Sequence, residues 1–170
     1  MQLSCQQEDL HRGLSAVSRA VPSRSTLPIT QHVLIHAEGS HVTLSAMDAE
    51  TLVITYTIPA EIEEEGAITL PSRLLSDFVA TLPPAPIQLT LAERSRQVGL
   101  SCARNEASIG GQDADDFPPI PPVDDSGTVR VEADRMRRAI NQVAFAAATD
   151  DSRPVLTGVH FGIEGGICRL

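Results

Sequence analysis

The sequence predicts an α+β chain in which antiparallel sheets carry two helices per unit, one complete unit being followed by the opening part of a second. Three observations predict this. The stretch from Leu3 to Leu44 returns without a gap as Val129 to Leu170, with Arg12, Val17, Ala20, Pro28, Val33, Glu38, Gly39 and Leu44 falling on Arg138, Val143, Ala146, Pro154, Val159, Glu164, Gly165 and Leu170. Such self-similarity at a fixed offset marks a repeated structural unit of about 126 residues. Second, several short segments alternate apolar and polar residues with period two, the signature of half-buried strands. Third, two segments carry apolar residues at helical spacing between recognisable start and stop signals.

Composition narrows the class. With 42% hydrophobic and 21% charged residues the chain is an ordinary globular mixture, and no apolar run approaches the length of a membrane span. The first residues carry no basic, apolar, small-residue signal pattern, so a cytoplasmic location is the expectation. Cys5, Cys102 and Cys168 are far apart and set in alternating apolar patterns, which reads as buried thiols rather than a disulfide. The net charge of −9 opposes nucleic-acid binding by bulk electrostatics. Yet all thirteen basic residues are Arg, whose planar fork favours bidentate contacts to phosphate or carboxylate. Aromatic residues make up only 3% of the chain, too few to build stacking platforms for single strands.

Taken in order, Leu3 and Cys5 form a first strand, and Glu8 with Asp9 supply an acidic first turn to a helix. Leu10, Leu14, Val17 and Val21 lie on one stripe, Arg12 and Arg19 on the opposite face, and Pro22 stops the helix. A polar loop holding Arg24 leads through Leu27-Pro28 to a strand over 31–37. Glu38-Gly39-Ser40 turns it into a second strand, 41–47, and Leu52, Ile54, Tyr56 and Ile58 alternate in a third. The acidic run Glu61, Glu63, Glu64, Glu65 is expected to be a solvated loop. After a short strand at Ile68 and Leu70, Pro71 opens a second helix carrying Arg73 in its first turn and Leu74, Leu75, Phe78, Val79 and Leu82 on its apolar side. Strands around Ile87–Leu91, Val98–Cys102 and Ala107–Ile109 complete the unit.

The composition then changes at an Asp- and Pro-rich stretch, which divides the chain into a first domain at 1–112, a linker at 113–127 and an incomplete second domain at 128–170. Phe117, Ile120 and Val123 are spaced by three, one edge of a polyproline II helix, and predict an extended strap lying against a domain. A proline-motif ligand for a partner domain is the competing reading. In the second unit, Val129 and Val131 predict a strand, Met136, Ile140 and Val143 a helical stripe with Arg138 on its outer face, and Val159–Ile163 with Ile167–Leu170 a hairpin.

Leu27-Pro28-Ile29, Ala46-Met47-Asp48-Ala49-Glu50, Asp116-Phe117-Pro118, and above all Phe145-Ala146 with the run from Asp151 to Gly158, resemble the bacterial sliding clamp, the beta subunit of DNA polymerase III. The resemblance covers essentially the whole chain. It implies the DNA clamp fold, with sheets on the outside of a ring and two helices per domain facing a central hole. It also implies a processivity factor without catalysis, cofactor or metal, acting as a head-to-tail homodimer with duplex DNA, the replicative polymerase and the clamp loader as partners. By the same resemblance Arg24 and Arg73 match positions close to DNA; Arg12, Arg19 and Arg138 join them through their helical faces. Leu82, Arg96, Arg104 and Ala107 match the edge that meets the partner protomer, and Arg153 and Leu156 match part of the groove for polymerase and loader peptides.

Two other function classes compete. Asp48 with Glu50, or Asp150 with Asp151, are the carboxylate pairs a metal-dependent nuclease would use, but neither has a neighbouring nucleophile, His partner or phosphate loop, so turn and capping roles are expected. Strand spacing of about 3.3 Å per residue puts His32 and His36 roughly 13 Å apart, which argues against a metal site built with His41. The remaining alternative is a small clamp-like interaction protein that binds clamp or loader components.

Overall fold

The computed structural model describes residues 1–23, 25–48, 52–92, 94–122, 128–150 and 152–170. Arg24, Glu50, Val123 and Asp151, each named in the sequence reading, therefore lie outside the described residues. The chain divides into two compact units, Met1–Pro121 and Pro122–Leu170.

In the first unit, β1 (Gln2–Gln6) feeds directly into α1 (Gln7–Val17), which tightens into a 3₁₀ turn before Pro22. The hairpin β2 (His32–Glu38) and β3 (His41–Met47) turns at Gly39, whose φ of 61° is the left-handed conformation that glycine adopts without steric cost. Then come β4 (Val53–Pro59), β5 (Glu61–Glu64), β6 (Gly66–Pro71), α2 (Ser72–Thr81), β7 (Pro86–Ala92), β8 (Gln97–Cys102) and β9 (Asn105–Gly110). They form two antiparallel sheets, ordered β5-β1-β7-β8-β9 and β4-β3-β2-β6. One core joins both sheets to both helices, including Leu3, Leu14, Leu44, Leu70, Val79 and Leu89. Helix α1 buries Leu10, Gly13, Leu14 and Val17, and α2 buries Ser72, Leu75 and Val79, so each helix turns its other face outward.

The acidic run is not a loop. It contains β5, which pairs antiparallel with β1 (Leu3 opposite Ile62) and forms one edge of the five-stranded sheet. Pairing needs only backbone groups, and an edge strand tolerates charged side chains because they face solvent. Leu74 also departs from expectation at 55% exposure, since it lies about 100° around the helix from the buried Leu75. The stretch 28–31, read as loop and strand start, is a 3₁₀ turn with Pro28 at its beginning. Beyond β9, Gln112 bridges to Thr69 of β6, and Phe117 closes over Ile29 and Met47, with Ile120 packed beside them. That contact places the stretch up to Pro121 in the first unit.

The second unit holds α3 (Ala133–Val143) and a two-stranded sheet of β10 (Gly162–Glu164) and β11 (Ile167–Arg169). No strand forms at Val129–Val131. A strand exists through a partner's hydrogen bonds, and β10 and β11 pair with each other, whereas β1 in the first unit lies between β5 and β7.

Candidate nucleic-acid interface

The outward faces of α1 and α2 carry the basic residues of interest. The two helices are tied together by the buried Gln7, whose Nε2 donates to the Val79 carbonyl at 2.8 Å. Gly13 lets α1 sit close on β3 and β4, because a Cβ there would lie 2.7 Å from Leu44 Cδ1 and 3.2 Å from Tyr56 Cδ1. On these faces Arg12 and Arg73 are exposed, Arg73 with 96% of its side chain in solvent, and Arg19 is exposed on the 3₁₀ turn Ser18–Ala20 that follows α1. Arg12 pairs with Asp9 at 3.4 Å and Arg73 with Asp77 at 3.8 Å; both are loose surface pairs that orient a guanidinium more than they stabilise the fold. Arg138 is exposed on α3 of the second unit. Arg24 lies outside the described residues.

The residues matched to a protomer edge gather at β8 and β9. Among the described residues strand β9 pairs only with β8, so it is an edge of the five-stranded sheet. Arg104 stands in the β8–β9 turn and Ala107 is half-buried on β9. Arg96, in the left-handed conformation at φ 53°, is held by Asp113 at 2.9 Å and through its carbonyl by the Gly111 N–H at 2.8 Å. Leu82 differs from these three: at 7% exposure it belongs to the unit's own core. In the second unit Arg153 is exposed next to a 3₁₀ turn, Pro154–Thr157, in which Leu156 is 51% exposed.

The candidate carboxylates have structural work. Asp48 Oδ1 accepts from the Leu52 N–H at 2.9 Å. Asp150 accepts from the Ser152 N–H at 2.8 Å and its hydroxyl at 2.9 Å, an Asx turn that lowers the Asp150 pKa, the backbone bond being the larger cause.

One polar cluster was invisible in sequence. His32 Nδ1 lies 3.2 Å from Thr69 Oγ1, which donates to the Gln112 carbonyl at 3.1 Å. These residues come from β2, β6 and the segment after β9, and no local spacing signals their meeting. Burial holds the His32 imidazole below its ordinary range, opposed in part by a hydrogen bond to the Thr69 backbone.

Comparison with known proteins matches residues 1–121 to the N-terminal domain of the DNA polymerase III beta subunit and residues 130–170 to its central domain. The beta sliding clamp of Synechocystis sp. is 38% identical over 97% of this chain and 44% of its own length. The beta sliding clamp of Bacillus subtilis is 28% identical over 96% of this chain and 45% of its own. Among solved structures, the DNA polymerase sliding clamp from Bacillus subtilis superposes with a TM-score of 0.91 at 28% identity, covering 96% of this chain and 45% of that one. A putative DNA polymerase III beta subunit from Eubacterium rectale gives a TM-score of 0.91 at 32% identity, over 96% and 44%. The chain thus spans about half the length of the curated relatives it matches.

Proposed function

The chain belongs to the bacterial sliding clamp family, the DNA polymerase III beta subunit, and from that premise we propose that it supplies one full domain and the start of the next to a ring that encloses duplex DNA and tethers the replicative polymerase. Such a clamp performs no chemistry; it works by topology and needs no cofactor. The observation that carries the reading is the exposure of Arg12 on α1, Arg19 on the 3₁₀ turn that follows it and Arg73 on the adjoining α2, in a protein of net charge −9. A basic strip on an acidic body attracts backbone phosphates where it is, and repels them elsewhere. Arg24 and Arg138 extend the proposed DNA-facing set. Of the division read in sequence, a first domain at 1–112, a linker at 113–127 and a second domain from 128, the linker is proposed to be a strap whose first part, up to Pro121, packs on the first domain.

The open edge at β9, with Arg96, Arg104, Ala107 and the rim of Leu82, is proposed as the seam of a head-to-tail homodimer. An unpaired edge strand offers the backbone groups that join two sheets. Arg153 and Leu156 are proposed to form part of a groove for polymerase and clamp-loader peptides, in the cytoplasm. The DNA-facing residues are tested in the closed ring by the salt dependence of duplex binding. Each lost phosphate contact reduces the log–log slope by about 0.9. Replacing Arg24 and Arg73 with Ala is expected to flatten the slope accordingly; an unchanged slope removes both residues from the site.

A further inference from the structure

A cavity of about 620 Å³ opens in the first unit between the segment after α1, the start of β2 and the first turns of α2. Its chemistry is that of an anion seat. Arg73 lines it with an exposed guanidinium, and Ser18, Ser23 and Ser72 add hydroxyl-bearing side chains. Ser76 also lines it, and its hydroxyl is buried without a hydrogen-bond partner. The start of α2 has no side-chain cap and no acidic residue in its first turn, so its orphan N–H groups and positive dipole end are not neutralised there.

The last lining group is His32, and its tautomer follows from its partners. Thr69 has one hydroxyl proton, donated to the Gln112 carbonyl, so Thr69 Oγ1 can only accept from His32 Nδ1. The neutral ring therefore carries its proton on Nδ1, leaving the Nε2 lone pair as its open position. We propose that this cavity seats a phosphate group, and that His32 Nε2 takes up a proton from solvent as the phosphate arrives. The step is a proton transfer only: an O–H bond of a solvent hydronium breaks as the Nε2–H bond forms, and the resulting imidazolium donates to a phosphate oxygen. Among the described residues, the charged groups that line the cavity with His32 are Arg73 and Asp77 of α2, paired with each other at 3.8 Å; the described lining residues from β6 and from the segment after α1 carry no charge. An incoming phosphate, with one negative charge as a backbone phosphodiester and up to two as free phosphate near neutral pH, competes with the Asp77 carboxylate for Arg73.

The phosphate has two sources, the backbone of duplex DNA or free phosphate, and the first rests on the reading of α1 and α2 as a DNA-facing surface. The test is NMR titration of the His32 ring in the 170-residue chain between pH 5.5 and 8.5, alone, with inorganic phosphate, and with a short duplex in phosphate-free buffer. The other four histidines serve as internal controls. Occupancy is expected to move the His32 midpoint up by about one pH unit or more. Binding should weaken as pH rises through that midpoint, and His32→Asn, which keeps a donor toward Thr69 but cannot titrate, should lose this pH dependence. A duplex that binds without moving the His32 midpoint, when inorganic phosphate does not move it either, overturns the seat and leaves the DNA reading standing. A response to phosphate alone supports the seat with free phosphate as its occupant. No response to either ligand overturns it, and because this readout uses the unmutated chain, a folding defect in the variant cannot obscure the result.

Discussion

Gly110 and Gly111 are adjacent in sequence and occupy unlike surroundings. A Cβ on Gly110 would meet nothing within 4 Å, whereas one on Gly111 would lie 2.7 Å from the Thr69 carbonyl oxygen and 2.8 Å from Ile68 Cγ1. Backbone cannot swing aside as a side-chain end can, so Gly111→Ala is expected to cost about 1–3 kcal/mol by overpacking. Gly110→Ala should stay within about 0.5 kcal/mol of the parent. Urea denaturation of the two variants measures the difference, and equal midpoints would contradict the close approach. Cysteine chemistry gives a second check. Burial, with a smaller contribution from Asp9, pushes the Cys5 thiol up to about 12, and Cys102 is buried as well, whereas Cys168 is half-exposed. At pH 8 a thiol reagent should modify Cys168 quickly, and reach the other two only after unfolding. The sign for stability follows. An unfolded Cys5 ionises near its ordinary value of 9.0 while the folded one keeps its proton, so this group lowers stability as pH rises from about 9 to about 12. Its favourable contribution is fully present below pH 9.

At the scale of elements, the features that were legible in sequence are those with their own periodicity. The stripe of α1, the Pro-started α2, the β2–β3 hairpin and the β7–β8–β9 meander all carry local signals, and so do the outward positions of Arg12, Arg19 and Arg73. What failed depended on partners. Strand β5 has one apolar residue, Ile62, among glutamates, and exists because β1 has a free side to pair with. Val129 and Val131 repeat the pattern of Leu3 and Cys5 but have no such neighbours, and form no strand. The cluster of His32, Thr69 and Gln112 was hidden for the same reason. Helices α1 and α3, each of 11 residues, turn this into a prediction. Isolated helices of that length are marginal in water and depend on packing. Helix α1 buries five residues, including Leu10, Leu14 and Val17, while α3 buries none, and Phe145 beyond it is 85% exposed. Amide exchange in the 170-residue chain should therefore be far faster in α3 than in α1. Equal protection in a dilute monomeric sample would refute the assignment of stability to the first unit.

At the scale of the whole molecule, the buried apolar residues among those described run from Met1 to Phe117. The repeat in sequence announces two units and the chain divides into two, but the repeat does not say where the first one ends energetically. Composition places that end at residue 112, where the Asp- and Pro-rich stretch begins, because such a stretch lacks the periodicity of a core element. The packing places it at Pro121, since Phe117 is only 6% exposed and closes a second small cluster with Ile29 and Met47, with Ile120 alongside. The Asp-rich residues between them also serve this attachment: Asp113 caps the 3₁₀ turn at Ala114–Asp116 by accepting from the Asp115 N–H, while its other oxygen holds Arg96. Two shortened chains separate the alternatives. A chain ending at residue 121 should unfold cooperatively with the same urea midpoint as the 170-residue chain, because among the described residues none beyond Pro121 belongs to the buried core clusters. One ending at residue 112 uncovers Ile29 and Met47 and loses a buried aromatic, a change on the order of 3–5 kcal/mol by analogy with Phe→Ala in cores. Its midpoint should fall clearly below the other two. If the two shortened chains unfold together, the strap contributes no stability and the domain ends where the composition changes.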